Sequence, residues 1–160
     1  MDEKTHYVVA TAILVADGKF LIAKRSEDEK SFPGLWTVPG GRLEMSEYTS
    51  RPNDAGSLWY NVVEDLVRRE VKEEVNLDIG PVKYLTSCSF IRPNGMPTVI
   101  MSFFTETHDG ELKLSDELVD HAWVTLEEAK RYKLIDGIYD ELVMLDKHLK
   151  GEEVTWSRLS

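Results

Sequence analysis

Apolar positions follow two rhythms along this chain. Tyr7 to Val15 is a nearly continuous run of Val, Ala, Ile and Leu, followed by Asp17-Gly18 and then by Lys19-Phe-Leu-Ile-Ala-Lys-Arg25. Two β-rich runs joined across Asp-Gly predict a hairpin, because that pair tolerates the positive φ angles of a tight turn. Ser26 to Ser31 is polar and charged, hence a loop. Trp36 to Leu43 reads as a short strand, a glycine turn and a second short strand. The rhythm then changes: Leu58, Val62, Leu66, Val67 and Val71 recur at helical spacing and predict a long helix through Val75, with Ser57 or a neighbour as its N-cap.

Past that helix, Val82 to Ile91 and Val99 to Thr105 are β-rich runs joined across Arg92-Pro-Asn-Gly-Met-Pro97, whose Asn94-Gly95 is a further hairpin signal. Asp109-Gly110 marks a turn, His121 to Thr125 a short strand, and Leu126 to Arg131 a helical turn. Asp136 to Leu149, with Ile138, Leu142, Leu145 and Leu149 on one stripe, predicts a terminal amphipathic helix. Strands, helix, strands, helix in this order give an α+β domain with a mixed sheet between helices.

The chain has 160 residues, enough for one domain with a sizeable core. No stretch approaches the roughly 18 apolar residues of a membrane span, and the start lacks a basic region followed by an apolar one, so the cytoplasm is the expected location. The single cysteine, Cys88, excludes an intrachain disulfide and is expected to be a small core residue. The formal net charge of −10 argues against an extended nucleic-acid surface, which relies on Lys and Arg to neutralise phosphates. A small phosphorylated substrate stays compatible with it, because bound divalent cations invert a local field.

The chemistry concentrates in Arg69-Glu-Val-Lys-Glu-Glu-Val-Asn-Leu77. Glu70, Glu73 and Glu74 stand at i, i+3 and i+4, neighbours on one helical side, where like charges cost about 0.2–0.5 kcal/mol per pair. Acidic helix faces are more often simply solvated. This one straddles the edge of the apolar stripe, so it faces a cleft beside the sheet, and hard divalent ions take oxygen ligands of this kind. Upstream, Leu35 to Glu47 places Pro39-Gly40-Gly41 ahead of Arg42, Glu44 and Glu47; paired glycines let backbone carbonyls approach a ligand closely.

These residues together resemble the signature of the Nudix hydrolases: a Gly, five residues, a Glu, seven residues, then Arg-Glu, an apolar residue, any residue, Glu-Glu, any residue, Gly and an apolar residue. Gly41 and Glu47 match its first part, and Arg69, Glu70, Val71, Glu73, Glu74 and Leu77 its second. Two departures stand out. Tyr48 to Arg68 spans 21 residues where the signature has seven, an excess that reads as a loop inserted at about 48–57 and expected to tune substrate choice rather than hold the fold. It also leaves Glu44 as an alternative to Glu47. Asn76 replaces the signature's Gly, and as the next most tolerated residue in the left-handed conformation it is expected to end the helix in that state.

The resemblance implies a Nudix-like α/β/α sandwich over residues 1–160 and hydrolysis of a diphosphate bond in a nucleoside diphosphate derivative, dependent on Mg²⁺ or Mn²⁺. By the family pattern Glu70 and Glu74 would ligate metal together with the Gly40 main-chain carbonyl, and Glu73 would bind metal or orient a metal-bound water. Arg69 would pair with Glu73 and fix its rotamer, and Glu47 would complete the acidic wall. Glu117, six residues before Trp123, sits where many family members place a fourth carboxylate or the general base. Arg25 and Arg42, like Lys24 and Arg51, are candidate anion contacts; Trp36, with Phe32 and Tyr48, is a candidate base-stacking surface; Gly41 would lie against the substrate.

The leading substrate is a nucleoside triphosphate cleaved to monophosphate and diphosphate, with ADP-ribose, nucleotide sugars and dinucleoside polyphosphates open beside it and a homodimer left open. A nucleotide sensor without catalysis belongs to another class and would be marked by lost acidic residues, which are kept here. The family's isomerase branch needs a cysteine before the box, whereas Cys88 follows it. An mRNA-decapping role is opposed by the net charge.

Overall fold

The computed structural model describes residues 2–156; residues 1 and 157–160, included in the expected domain span, lie outside the described residues. The elements in chain order are β1 (Tyr7–Ala16), β2 (Lys19–Arg25), β3 (Trp36–Thr37), β4 (Gly40–Arg42), α1 (Ser46–Thr49), α2 (Val62–Val75), β5 (Asp78–Ile79), β6 (Lys83–Ile91), β7 (Pro97–Thr105), β8 (His108–Asp109), β9 (Leu118–Val124), α3 (Leu126–Ala129) and α4 (Ile138–Leu149). The seven-stranded sheet runs β3-β2-β1-β7-β6, with β4 on β1 and β9 on β2. It is mixed: β1 and β7 are parallel from Tyr7↔Thr98 to Leu14↔Thr105, and the other pairings of the sheet are antiparallel. The hairpins expected across Asp17-Gly18 and Asn94-Gly95 are both present.

Alternation along β1 and β2 divides the interior in two, since successive side chains leave opposite faces of a strand. Ala10, Ala12, Leu14, Leu21 and Ala23 face Leu66, Val67, Val71 and Val75 of α2. Ile13, Val15, Phe20 and Ile22 face Ile138, Leu142 and Leu145 of α4. The result is a sheet between helices. The short strands β3 and β4 do not pair with each other: β3 adds to β2 and β4 to β1, which spreads the glycine turn across the sheet's end.

Two expectations need correction. The long helix begins at Val62, not near Leu58, with Asn61 as a left-handed N-cap at φ 58°. The backbone just before it is committed to a tight turn, in which Leu58 N–H donates to Ala55 O at 2.8 Å, Asp54 N–H to Leu58 O at 2.8 Å and Tyr60 N–H to an Asp54 carboxylate oxygen at 2.8 Å. Leu58 is therefore exposed rather than part of the stripe. The segment at 48–57, expected as an inserted loop, gives its first two residues to α1 and otherwise carries no named helix or strand, being held by side chains described below. Cys88 is exposed, because it lies on β6, the outer strand of the sheet, and not in the core.

Among the described residues no helix is long and apolar enough to cross a membrane.

Candidate active site

The acidic box sits where α2 passes the end of β4. Ala12 N–H donates to Pro39 O at 2.9 Å and Leu43 N–H to Val8 O at 2.8 Å, so β1 clamps the Pro39-Gly40-Gly41 turn from both sides. Gly40 is required by close approach to backbone, whereas a side chain at Gly41 would displace the Glu70 carboxylate. A Cβ on Gly40 would strike the Ala10 carbonyl and Thr11, and one on Gly41 would strike the Glu70 carboxylate. The Gly40 N–H donates to Glu74 Oε1 at 3.3 Å.

Helical geometry carries Glu70, Glu73 and Glu74 to one side of α2, and one guanidinium gathers most of the cluster. Arg69 Nη1 donates to Glu73 Oε1 at 2.8 Å, as the i, i+4 spacing predicts, and Nη2 donates to Glu70 Oε1 at 3.0 Å and to Glu47 Oε1. Of the two upstream acids it is Glu47 that joins the box, while Glu44 is exposed. Among the described residues no three His, Cys, Asp or Glu side chains converge as a ready-made metal cage; Arg69 draws Glu47, Glu70 and Glu73 towards itself instead.

Glu74 is the deep member, 9% exposed. Burial, then a shared hydrogen bond with Glu70 and that group's charge, push its carboxyl up to about 9, the Gly40 N–H opposes this, and the charge of Glu117 adds to it. Glu70 is raised as well, first by burial and then by Glu73, with Glu74 and Arg69 acting against it. Glu117 reaches this neighbourhood because the preceding segment straps the end of α2. Lys113 N–H donates to Val75 O and Ser115 N–H to Glu74 O, each at 2.9 Å, satisfying last-turn carbonyls that a helix leaves without partners. Ser26 N–H donates to Glu117 O at 2.9 Å from the β2 side.

The expected substrate wall is only partly assembled. Arg42 is exposed at the end of β4, its guanidinium 4.5 Å from the Tyr7 ring centre. Arg25 is engaged in its own loop, donating to Ser31 O at 2.9 Å and pairing with Glu29 at 3.5 Å. Trp36 packs edge-on to Tyr132 at 4.6 Å, beside the α4 core cluster, so its ring is a packing element rather than a free stacking platform. Tyr48 lies against Trp59 at 5.4 Å, and Phe32 is exposed in the loop after β2. Sequence reasoning missed the strap at 113–115 and the part played by Arg51 and Trp59; alternating apolar and polar residues at Leu112 to Ser115 were the only hint of the former.

Comparison with known proteins identifies the family and the fold. Residues 4–55 and 59–144 match the NUDIX domain family. The chain is 24% identical over 136 residues to the nucleoside triphosphatase NudI of Escherichia coli, an alignment covering 79% of this chain and 86% of that protein. Among solved structures, the MutT NUDIX hydrolase of Burkholderia pseudomallei superposes with a TM-score of 0.71 at 23% identity, covering 89% of this chain and 99% of that one. The MutT protein of Methanosarcina mazei Go1 does so with a TM-score of 0.71 at 24% identity, covering 94% and 99%. With the family match spanning most of its length, the chain belongs to the Nudix hydrolase family.

Proposed function

We propose that the chain hydrolyses a nucleoside triphosphate to the monophosphate and diphosphate in a reaction dependent on Mg²⁺ or Mn²⁺. The observation that carries this reading is the pairing of Glu70 with buried Glu74 beneath the Gly40-Gly41 turn. Burial first, and then the crowding of Glu74 by Glu70 and of Glu70 by Glu73, hold both carboxyls against ionisation, as expected at a site short of positive charge. The donor set consists of hard oxygens and fits a hard divalent cation. Glu70 and Glu74, with the Gly40 carbonyl, are the proposed ligands, and Glu73 binds the ion or a water on it. Once bound, such an ion neutralises charge on the diphosphate and orients the attacking water.

The chain's own residues supply the rest. Arg69 holds Glu73 and Glu70 in fixed rotamers and is itself oriented by Glu47. Glu117, exposed and without an ion pair among the described residues, is the proposed base that takes the water's proton. Oxygen from water bonds to phosphorus, the P–O–P bridge between the α and β positions breaks, and the departing diphosphate keeps the bridging oxygen. Arg42 is the proposed contact for phosphate oxygens, with Gly41 beside it. Residues 1–160 act as one domain on a small nucleotide in the cytoplasm, and the strongly negative net charge supports a small substrate over an extended nucleic acid. The name of the NudI relative supports the choice of a triphosphate.

The test is incubation with a panel of nucleoside triphosphates, ADP-ribose, nucleotide sugars and dinucleoside polyphosphates, with Mg²⁺ or Mn²⁺ and with EDTA, reading products by chromatography. Triphosphates converted to monophosphate and diphosphate, with activity abolished by EDTA, is the expected outcome. Cleavage restricted to another member of the panel would replace the substrate, and undiminished cleavage in EDTA would overturn the metal-dependent mechanism.

A further inference from the structure

Glu47 belongs to α1, a helix of four residues with no buried side chain and no side-chain cap. A single turn of helix does not hold itself in water, because nucleation costs more than one turn of hydrogen bonds returns. Its position against Arg69 must therefore come from elsewhere, and the residues following it provide the means.

Arg51 sits at the centre of that segment. Its Nη1 donates to both Asp54 carboxylate oxygens at 3.2 and 3.4 Å, and its Nη2 donates to Tyr60 O at 2.7 Å. The same Nη2 lies 3.6 Å from Asp65 on α2. The carbonyl of Arg51 accepts from Trp59 Nε1 at 2.9 Å, and Trp59 packs on Tyr48, the neighbour of Glu47. Asp65 and Arg69 are one helical turn apart. The segment is thus fastened to one face of α2 twice, by Arg51 on Asp65 and by Glu47 on Arg69. Between the two fastenings lies a cavity of about 90 Å³ lined by Glu47, Tyr48, Arg51, Asp65, Leu66 and Arg69 among others.

We infer that Arg51 is a positioning residue for the acidic box, acting through Glu47 to keep the Arg69 guanidinium between Glu70 and Glu73. The planar fork of arginine suits this task, because it reaches two carboxylates and a carbonyl at once. The role rests on the reading of Glu70, Glu73 and Glu74 as metal-binding residues. It also gives the inserted segment a function at the box instead of at the substrate alone.

The test combines a readout on metal-free protein with one on metal binding. In Arg51→Ala, amide hydrogen exchange of residues 46–49 should accelerate while residues 66–75 stay protected, and Mn²⁺ affinity, read by electron paramagnetic resonance of the free ion, should fall about tenfold, the low end for a residue supporting a metal ligand. Arg51→Lys should recover part of both. Arg68→Ala should change neither, since Arg68 pairs with the same Asp65 at 3.6 Å without touching the inserted segment. Glu47→Gln should lower Mn²⁺ affinity similarly, and the double variant Arg51→Ala/Glu47→Gln should be no weaker than Glu47→Gln alone, because both act through one contact. Additive losses, or Arg51→Ala exchange at 46–49 matching wild type, would overturn the role. Should Arg51→Ala fail to fold, Arg51→Lys and Asp65→Asn carry the same comparison. If wild type binds no Mn²⁺, the metal reading falls, and the exchange of 46–49 in Arg51→Ala and Glu47→Gln still decides whether Arg51 holds Glu47 in place.

Discussion

Gly40 and Glu74 meet across 34 positions of sequence, the amide of one donating to the carboxylate of the other at 3.3 Å. That contact places the deepest acid of the box against the glycine turn. Glu74→Gln keeps the shape of the side chain and removes its capacity to present a negative charge to a cation. Metal binding and hydrolysis should fall together by at least tenfold, as for other displaced ligands or their supports. Thermal unfolding of the metal-free protein should stay level or rise, since a buried, crowded carboxyl is being relieved. Retained hydrolysis at the wild-type rate would remove Glu74 from the mechanism.

Metal binding should be steeply dependent on pH. With its carboxyl pushed up to about 9, Glu74 holds a proton at neutral pH in the metal-free protein. A cation must displace that proton, so affinity should climb as pH rises from 6 towards 9 and level off above it. Mn²⁺ titrations at intervals across that range check the slope, and a flat profile contradicts the coupling.

Asn76 ends α2 in the left-handed region at φ 63°, and its Nδ2 donates to Glu111 O at 2.9 Å. Asn76→Gly keeps the backbone state but loses that hydrogen bond, costing about 0.5–1.5 kcal/mol. Asn76→Val loses it too and adds the strain of a branched side chain in a left-handed state, a further 1–2 kcal/mol or so. Chemical unfolding separates the two, and equal losses would mean that backbone strain is not what selects the residue.

Glu141 offers a prediction far from the box. It is 7% exposed on α4, and its Oε1 has no hydrogen-bond partner. Burial raises its carboxyl, Ser102 pulls it down, and Asp140 adds to the rise. A raised native value means that the unfolded chain gives up this proton first. The resulting stability is complete below the unfolded glutamate value and is lost as pH climbs through the native one. Glu141→Gln should therefore be at least as stable as wild type at pH 7, with a shallower decline from pH 5 to pH 8. Denaturant midpoints at several pH values test this, and parallel curves for the two proteins would refute it.

Legibility in the sequence followed physical range. The β1–β2 hairpin, the stripe on α2 and the left-handed Asn76 depend on residues near one another in the chain, and local chemistry specified them. The box carboxylates were likewise visible, because one helix presents them. What escaped was set by partners at a distance. Trp36 carries no mark of Tyr132. The start of α2 at Val62 depends on a turn tied by Asp54 and Tyr60. Cys88 is exposed because its strand happens to be the last in the sheet. The polar composition of residues 48–57 marked an inserted loop but not its internal ties, which run through Arg51 and its carboxylate partners.

The parallel pairing of β1 with β7 has a consequence for how the protein comes into being. Thr11 and Ser102 are 91 positions apart, and β1 lies beside β7 over its length. Contacts so distant in sequence are slow to form, because a long loop must close before they return any energy. The glycine turn is held by β1, whose other flank remains open until β7 arrives. A nascent chain ending before residue 97 therefore lacks the strand that covers the other flank of β1, and with it the finished sheet against which the glycine turn and α2 are packed.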